Sequence, residues 1–197
     1  MLPQTQYILA SSSPRRRQLM AAAGYRFEVV APRIDDAALG LCSNCGPAEL
    51  VTRLARLKAA DVIDQLSGAH LKADLVIACD TVVECGGQIL GKPTGDDHAR
   101  EMLELLSASC HRVYSGLCLW RLPAGPSETR FAATTLQMDK LSARQIHEYV
   151  QSNQWEGKAG GFGYQDGHDW LQIVEGSESN VVGLPMELLS EMLADGI

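Results

Sequence analysis

Leu75-Val76-Ile77-Ala78-Cys79-Asp80-Thr81-Val82-Val83-Glu84-Cys85-Gly86-Gly87-Gln88-Ile89-Leu90 is the stretch whose reading decides the fold. Leu75 to Ala78 is a near-continuous apolar run, the pattern of a strand buried on both faces. The run continues through Asp80-Thr81-Val82-Val83 to a Gly86-Gly87 turn and returns through Gln88-Ile89-Leu90, a hairpin signal. On either side the chain alternates short β-like runs with amphipathic helical stretches, which reads as α/β.

Upstream, Tyr7 to Ala10 reads as a short apolar strand with a helix directly behind it. Ser13 is a good N-cap, Pro14 fits the first helical position, and Leu19 and Met20 begin the apolar face. Gly24 ends that helix and Phe27 to Val30 form a second strand. Pro47 to about Leu66 is the next helix, with apolar positions at Leu50, Val51, Leu54, Leu57 and Val62. Downstream, Asp96 to Ser107 is helical with Met102, Leu103, Leu105 and Leu106 inward. Val113 to Leu122 and Arg130 to Met138 are strands joined by a Pro- and Gly-rich loop. Ser142 and Gln145 form a capping box that opens a helix to Val150. A glycine-rich loop at Gly157 to Gly167 leads to a strand at Trp170 to Val174, another loop, and a last helix starting near Pro185. No internal repeat or long linker interrupts the series, so residues 1–197 read as a single domain.

The chain has 197 residues, 46% hydrophobic and 21% charged, the balance of an ordinary globular protein. A net charge of -7 argues against a dedicated DNA- or RNA-binding protein, whose affinity rests on neutralising phosphates. A small polyphosphate needs only a few focused cations and is compatible with that charge. The N-terminus lacks the basic and apolar regions of a signal peptide, and no segment reaches the ~20 apolar residues that span a bilayer. A cytoplasmic location is the expectation. Of six cysteines, Cys79, Cys85, Cys110 and Cys118 fall in strand-like runs, where a thiol behaves as a small hydrophobe. Cys42 and Cys45 form a lone C-x-x-C without the second ligand pair that a structural zinc site requires, so free thiols are expected there.

Three segments carry chemistry. In Ser11-Ser12-Ser13-Pro14-Arg15-Arg16-Arg17, strand end, tight turn and helix start coincide. The first N–H groups of that helix have no internal partner and lie at the positive end of its dipole, which favours an anion. Three arginines at a helix start oppose the dipole, and phosphate binding accounts for them better than an N-cap alone. At Asp80-Thr81 an acid stands at the end of a buried apolar strand, costly unless paired, hydrated or bound to metal. Lys92, across the hairpin, is positioned by sequence to hold a substrate phosphate or to pair with Asp80. Gly86 to Lys92 imitates the start of a Walker A motif, but Pro93 replaces the metal-binding Ser or Thr and the context is strand-turn-strand. The third segment, Gly157-Lys158-Ala159-Gly160-Gly161-Phe162-Gly163-Tyr164-Gln165, has the glycine content for close approach to a ligand. Lys158 suits phosphate, and Gln165 can donate to and accept from a base edge. Asp35 and Asp36 offer further carboxylates for Mg²⁺ or Mn²⁺ beside Asp80. From spacing alone, Asp35, Asp36, Arg53 and Lys58 are ordinary surface charges.

Together these segments resemble the Maf family of nucleoside triphosphate pyrophosphatases. The matching runs are LASSSPRR at Leu9 to Arg16, RLARLKA at Arg53 to Ala59, ACDTVV at Ala78 to Val83, ILGKP at Ile89 to Pro93, KAGGFGYQ at Lys158 to Gln165 and EGSESNVVGLP at Glu175 to Pro185. They occur in the family's order from end to end. The resemblance implies an elongated mixed β-sheet with flanking helices and two lobes around a deep cleft, similar to the inosine triphosphate pyrophosphatase architecture. It implies cleavage of a nucleoside triphosphate between the α- and β-phosphates, and a homodimer. A divalent cation, Mg²⁺ or Mn²⁺, held by Asp80 and Asp36 is the expected cofactor of that reaction. By residue, Asp80 matches the proposed general base. Ser11, Arg15, Arg16, Lys58, Lys92 and Lys158 match substrate-contacting positions, and Arg15, Thr81 and Gln165 match positions that set base preference. Ser13 is a further substrate-binding candidate. The Asp-Thr pair with the later glutamine looks like the branch acting on dTTP and UTP rather than the one acting on 7-methyl-GTP. Three departures stand out: Leu57 where Glu is usual, Asp36 where Glu is common, and an altered segment from Asp166 to Trp170. Two competing readings are a non-catalytic nucleotide sensor in division control and a housecleaning enzyme for modified nucleotides.

Overall fold

The computed structural model describes residues 5–34, 45–66, 73–123 and 125–196. Their strands are β1 (Tyr7–Ala10), β2 (Phe27–Val30), β3 (Leu75–Cys85), β4 (Gln88–Leu90), β5 (Cys110–Arg121), β6 (Ser127–Met138) and β7 (Leu171–Glu175). They form one mixed sheet in the order β2-β1-β3-β5-β6-β7, with β4 also on β3. β1 runs parallel to β2 and β3, and every other pairing is antiparallel. The helices are α1 (Pro14–Ala22), α2 (Pro47–Leu66), α3 (Asp96–Leu106), α4 (Ala143–Gln151), α5 (Glu178–Val182) and α6 (Met186–Asp195). The mixed α/β sheet flanked by helices is the fold class that the sequence predicts.

Local chemistry sets the elements as expected at most ends. Ser13 caps α1 by accepting from the Arg16 N–H at 3.4 Å, with Pro14 in the first turn. The Ser142 and Gln145 capping box is formed at the start of α4. Gly86 and Gly87 supply the positive φ angles (57° and 85°) of the β3–β4 turn, and that strand-turn-strand context confirms that the Walker-like string is a hairpin.

β3 organises the whole sheet. Along one edge it pairs with β5 from Leu75 to Glu84. On the other edge β1 covers Leu75 to Ala78 and β4 covers Val83 to Cys85. Among the described residues, Cys79 to Val82 therefore have no strand partner on that edge. Side chains alternate across the strand, and this assigns the cores. Leu75, Ile77 and Cys79 join Leu117, Leu119, Leu184 and Leu189 on one face, while Val76 and Ala78 join Ala55, Ala59 and Val62 of α2 on the other. Farther along the first face, Val83 and Cys85 belong to a second cluster with Leu103, Leu106, Tyr149, Trp155 and Phe162. These two clusters are the cores of two lobes.

A polar belt separates the lobe cores on that face. The Thr81 and Ser115 hydroxyls lie 2.9 Å apart. Asn180 of α5, only 1% exposed, donates from Nδ2 to the Val113 carbonyl and the Thr134 hydroxyl. On the opposite face Gly116, the β5 partner of Asp80, has no side chain, and a Cβ there would run into the backbone carbonyl of Val51 in α2. The missing side chain allows α2 to lie directly on the sheet.

Several boundaries and orientations differ from the expectations. β5 and β6 begin at Cys110 and Ser127, because strand pairing continues through alternating polar residues that an apolar-run reading drops. Leu105 is 39% exposed rather than inward. Cys110 is exposed at the strand end, whereas Cys79, Cys85 and Cys118 are buried free thiols. The glycine-rich loop contains two single 3-10 turns, Ala159–Gly161 and Tyr164–Asp166. α5 replaces part of the loop expected before α6; Ser177 caps it by accepting from the Asn180 N–H. Among the described residues no helix is long and apolar enough to cross a membrane.

Candidate active site

A cleft of about 340 Å³ opens where β3, among the described residues, has no strand partner between β1 and β4. Ser11, Ser13, Arg15, Arg16, Lys58, Asp80, Thr81, Lys92, Lys158 and Gln165 all line it. Residues from five separate sequence segments thus converge on one cavity. Asp36, with Asp35 and Cys42, lies outside the described residues.

Asp80 is 4% exposed on the α2 face of β3 and takes an ion pair from Lys58 Nζ to Oδ1 at 2.5 Å. Lys58, read from spacing as a surface charge, is 6% exposed. It continues the buried stripe of α2, four residues after Leu54 and four before Val62. Arg53, by contrast, is exposed on the outer side of that helix. The carboxylate that the sequence offered to Lys92 is therefore held by Lys58, because α2 packs against the face onto which Asp80 projects.

At the start of α1 the two inner arginines bind different parts of the molecule. Arg16 donates from Nε to the Gly183 carbonyl at 2.7 Å, from Nη2 to the Thr81 hydroxyl at 3.1 Å and from Nη1 to Ser11 Oγ at 3.5 Å. Arg15 reaches across the cleft and donates from Nη2 to the Gly157 carbonyl at 2.6 Å. Burial, then the neighbouring Arg16 charge, lower the Arg15 pKa, while Asp166 and Tyr149 oppose that shift. Two adjacent, partly desolvated guanidinium groups favour an incoming anion. Arg17 points to solvent.

Across the cleft, Lys158 Nζ lies 2.7 and 2.5 Å from the two oxygens of Asp166, and both side chains are 11% exposed. Tyr149 donates its hydroxyl to Asp166 Oδ2 at 2.8 Å and accepts from the Gly163 N–H at 3.1 Å. Burial and then that bond to Asp166 push the phenol pKa up, so it acts as a donor. A Cβ on Gly163 would meet Lys158 Nζ, Asp166 Oδ2 and Gln165 Nε2 within 2.8 Å. Glycine is needed for these three groups to converge.

Sequence reading missed several parts of this wall. Glu156, Phe162 and the Val181-Val182-Gly183 segment also line the cleft. The Gly183 carbonyl accepts from Arg16, from Thr81 Oγ1 at 3.3 Å and from Cys79 Sγ at 3.3 Å. Only the run Glu175 to Pro185 signalled that last segment, and its backbone role has no side-chain signature.

The sheet and cleft define a mixed α/β protein that gathers cations around one buried carboxylate between two lobes. The sequence profile described as Maf-like protein matches residues 6–196, and the chain belongs to the Maf family. It is 52% identical over 187 residues to a dTTP/UTP pyrophosphatase of Rhodopirellula baltica, covering 94% of this chain and 80% of that protein. It is 41% identical over 196 residues to a dTTP/UTP pyrophosphatase of Brucella abortus, covering 98% and 92%. The Staphylococcus aureus Ham1 protein overlaps 68% of this chain and 72% of its own, with a TM-score of 0.44 and 13% identity.

Proposed function

We propose that this chain hydrolyses nucleoside triphosphates to the monophosphate and pyrophosphate, with dTTP and UTP as the preferred substrate class. The observation that carries the reading is the convergence of Asp80 with Arg15, Arg16, Lys58, Lys92 and Lys158 in one cleft. A buried carboxylate aimed at a polyphosphate weakens binding unless it serves chemistry or a metal. The names of the Rhodopirellula and Brucella relatives support the same reaction and bases. Gln165, Thr81 and Arg15 are the proposed base-reading groups.

The residues present fit a divalent cation shared with substrate. Mg²⁺ and Mn²⁺ take hard oxygen donors, and Mg²⁺ commonly uses one or two protein carboxylates plus phosphates. Among the described residues Asp80 is the buried carboxylate facing the cleft, and Asp36 is the proposed second ligand. When bound, the ion supplies charge neutralisation on the phosphates and lowers the pKa of a water. Asp80 orients a water and accepts its proton for in-line attack on the α-phosphorus. Lys58 fixes Asp80 through Oδ1 and leaves Oδ2 for the reaction. The arginines of α1 with Lys92 and Lys158 bind the phosphates and stabilise charge on the departing pyrophosphate. Both lobes contribute to this one functional unit, and the proposed setting is the free nucleotide pool of the cytoplasm, with the chain as a homodimer.

The test is pyrophosphate release from dTTP, UTP, CTP, 7-methyl-GTP and modified nucleotides with Mg²⁺ or Mn²⁺. Asp80→Asn should lower turnover by about 10²-fold or more while nucleotide binding persists. Near-wild-type turnover in that variant would remove Asp80 from its role. Tight binding without turnover across the panel would identify a nucleotide sensor instead.

A further inference from the structure

Lys158 is not presented to the cleft as a lone cation. Both oxygens of Asp166 hold its Nζ, and Tyr149 secures the carboxylate with a 2.8 Å hydrogen bond to Oδ2. The phenol is itself fixed by the Gly163 N–H. Asp166 thus belongs to a built, largely buried arrangement, in the segment where this chain departs from the Maf pattern. Its charge extends to the other lobe, where it acts on Arg15. Arg15 in turn binds the carbonyl of Gly157, the residue before Lys158.

We infer that Asp166 is an internal anion that competes with substrate phosphate for Lys158 and sets the nucleotide affinity of the cleft. A polyphosphate entering the site meets a cation already neutralised by a fixed carboxylate. It must either draw Lys158 from Asp166 or share it while lying close to a like charge. Both raise the free energy of the bound state, because a carboxylate left without its cation in a part-buried site loses the interaction that compensated its desolvation. Tyr149 limits this cost. Its hydroxyl continues to donate to Asp166 after Lys158 has turned away, so the exchange remains reversible. Asp166 is in this sense a positioning residue acting through Lys158. It stands next to Gln165 at the Gly163 crossing, which couples the exchange to the group proposed to read the base. The inference rests on the proposed triphosphate site but not on turnover.

Binding of α,β-methylene-dTTP, which resists α–β cleavage, tests it by titration calorimetry at fixed salt with Mg²⁺. Asp166→Asn keeps the shape and an acceptor for Tyr149 but removes the charge, and should tighten Kd by about five- to tenfold. With dTTP as substrate the gain should appear in KM. In a Lys158→Met background the same change should tighten binding less, since the contested cation is gone and only the like-charge repulsion remains. Asp166→Ser, smaller and also uncharged, should shift affinity in the same direction and covers a failure of the asparagine variant to fold. Unchanged or weaker binding in both variants would overturn the inference, as would equal tightening with and without Lys158. Wild-type binding of the analogue with no pyrophosphate from dTTP would reject the hydrolase reading and leave the Asp166 comparison valid. Absence of binding by both wild type and variants would overturn both.

Discussion

Asp80 and Lys58, twenty-two positions apart in sequence, share one buried contact, and the site depends on their being kept together. Removing one partner of such a pair leaves a charge in a poorly solvated place. Lys58→Met should destabilise the protein by about 3 kcal/mol or more and depress turnover with it. Adding Asp80→Asn should recover much of the stability but none of the activity. Urea unfolding of the single and double variants, beside a pyrophosphate assay, separates the two effects. His111 provides a pH test outside the proposed chemistry. It is 2% exposed, packs edge-on against Phe162 at 5.4 Å, and burial pushes its pKa from 6.5 down to about 4. The unfolded chain therefore binds a proton more readily than the folded one between those values. This contribution to stability is complete above about pH 6.5 and declines by about 3 kcal/mol as pH falls towards 4. His111→Phe should flatten that part of the stability–pH curve, measured from urea midpoints at neutral and acid pH.

At the scale of elements, the approach of α2 to β5 brings Lys58 to Asp80, and Gly116 makes that approach possible. Gly116→Ala should push helix and strand apart, costing about 1–3 kcal/mol by overpacking and lowering turnover through the displaced lysine. Loss of stability with full activity would show that the Lys58 contact tolerates the shift. The same contact explains what sequence could and could not supply. The start of α1 and the β3–β4 turn were legible because cap, proline and paired glycines act within a few residues. The seating of Lys58 was readable in principle from Leu54 and Val62 at helical spacing. Comparison with Arg53, five positions away and exposed, hides it. α5 is too short to show a period. The Asp166–Lys158 pair joins two residues of an irregular glycine-rich loop, where no repeat relates position to direction. The Arg16–Gly183 bond ends on a backbone carbonyl, which any residue possesses.

Over the whole molecule, β3 and β5 run through both lobes, and the cleft takes its lining from each. The lobes should consequently unfold together, in one transition seen alike by far-ultraviolet dichroism and tryptophan fluorescence. Non-hydrolysable nucleotide at a hundred times its Kd should stabilise that transition by about 2.7 kcal/mol. Two separate transitions, with nucleotide moving only one, would make the lobes independent folding units. The opening along β3 also bears on what the chain avoids. An uncovered strand edge is a template on which another polypeptide can pair and begin to aggregate. Here, among the described residues, the stretch from Cys79 to Val82 has no strand partner on that edge and is closed at one end by β1 and at the other by β4. Four residues of strand extend only about 13 Å, and a visiting segment long enough to pair stably would collide with both neighbours. The sheet thus holds a recess in its interior that admits small solutes but gives an invading chain nowhere to continue.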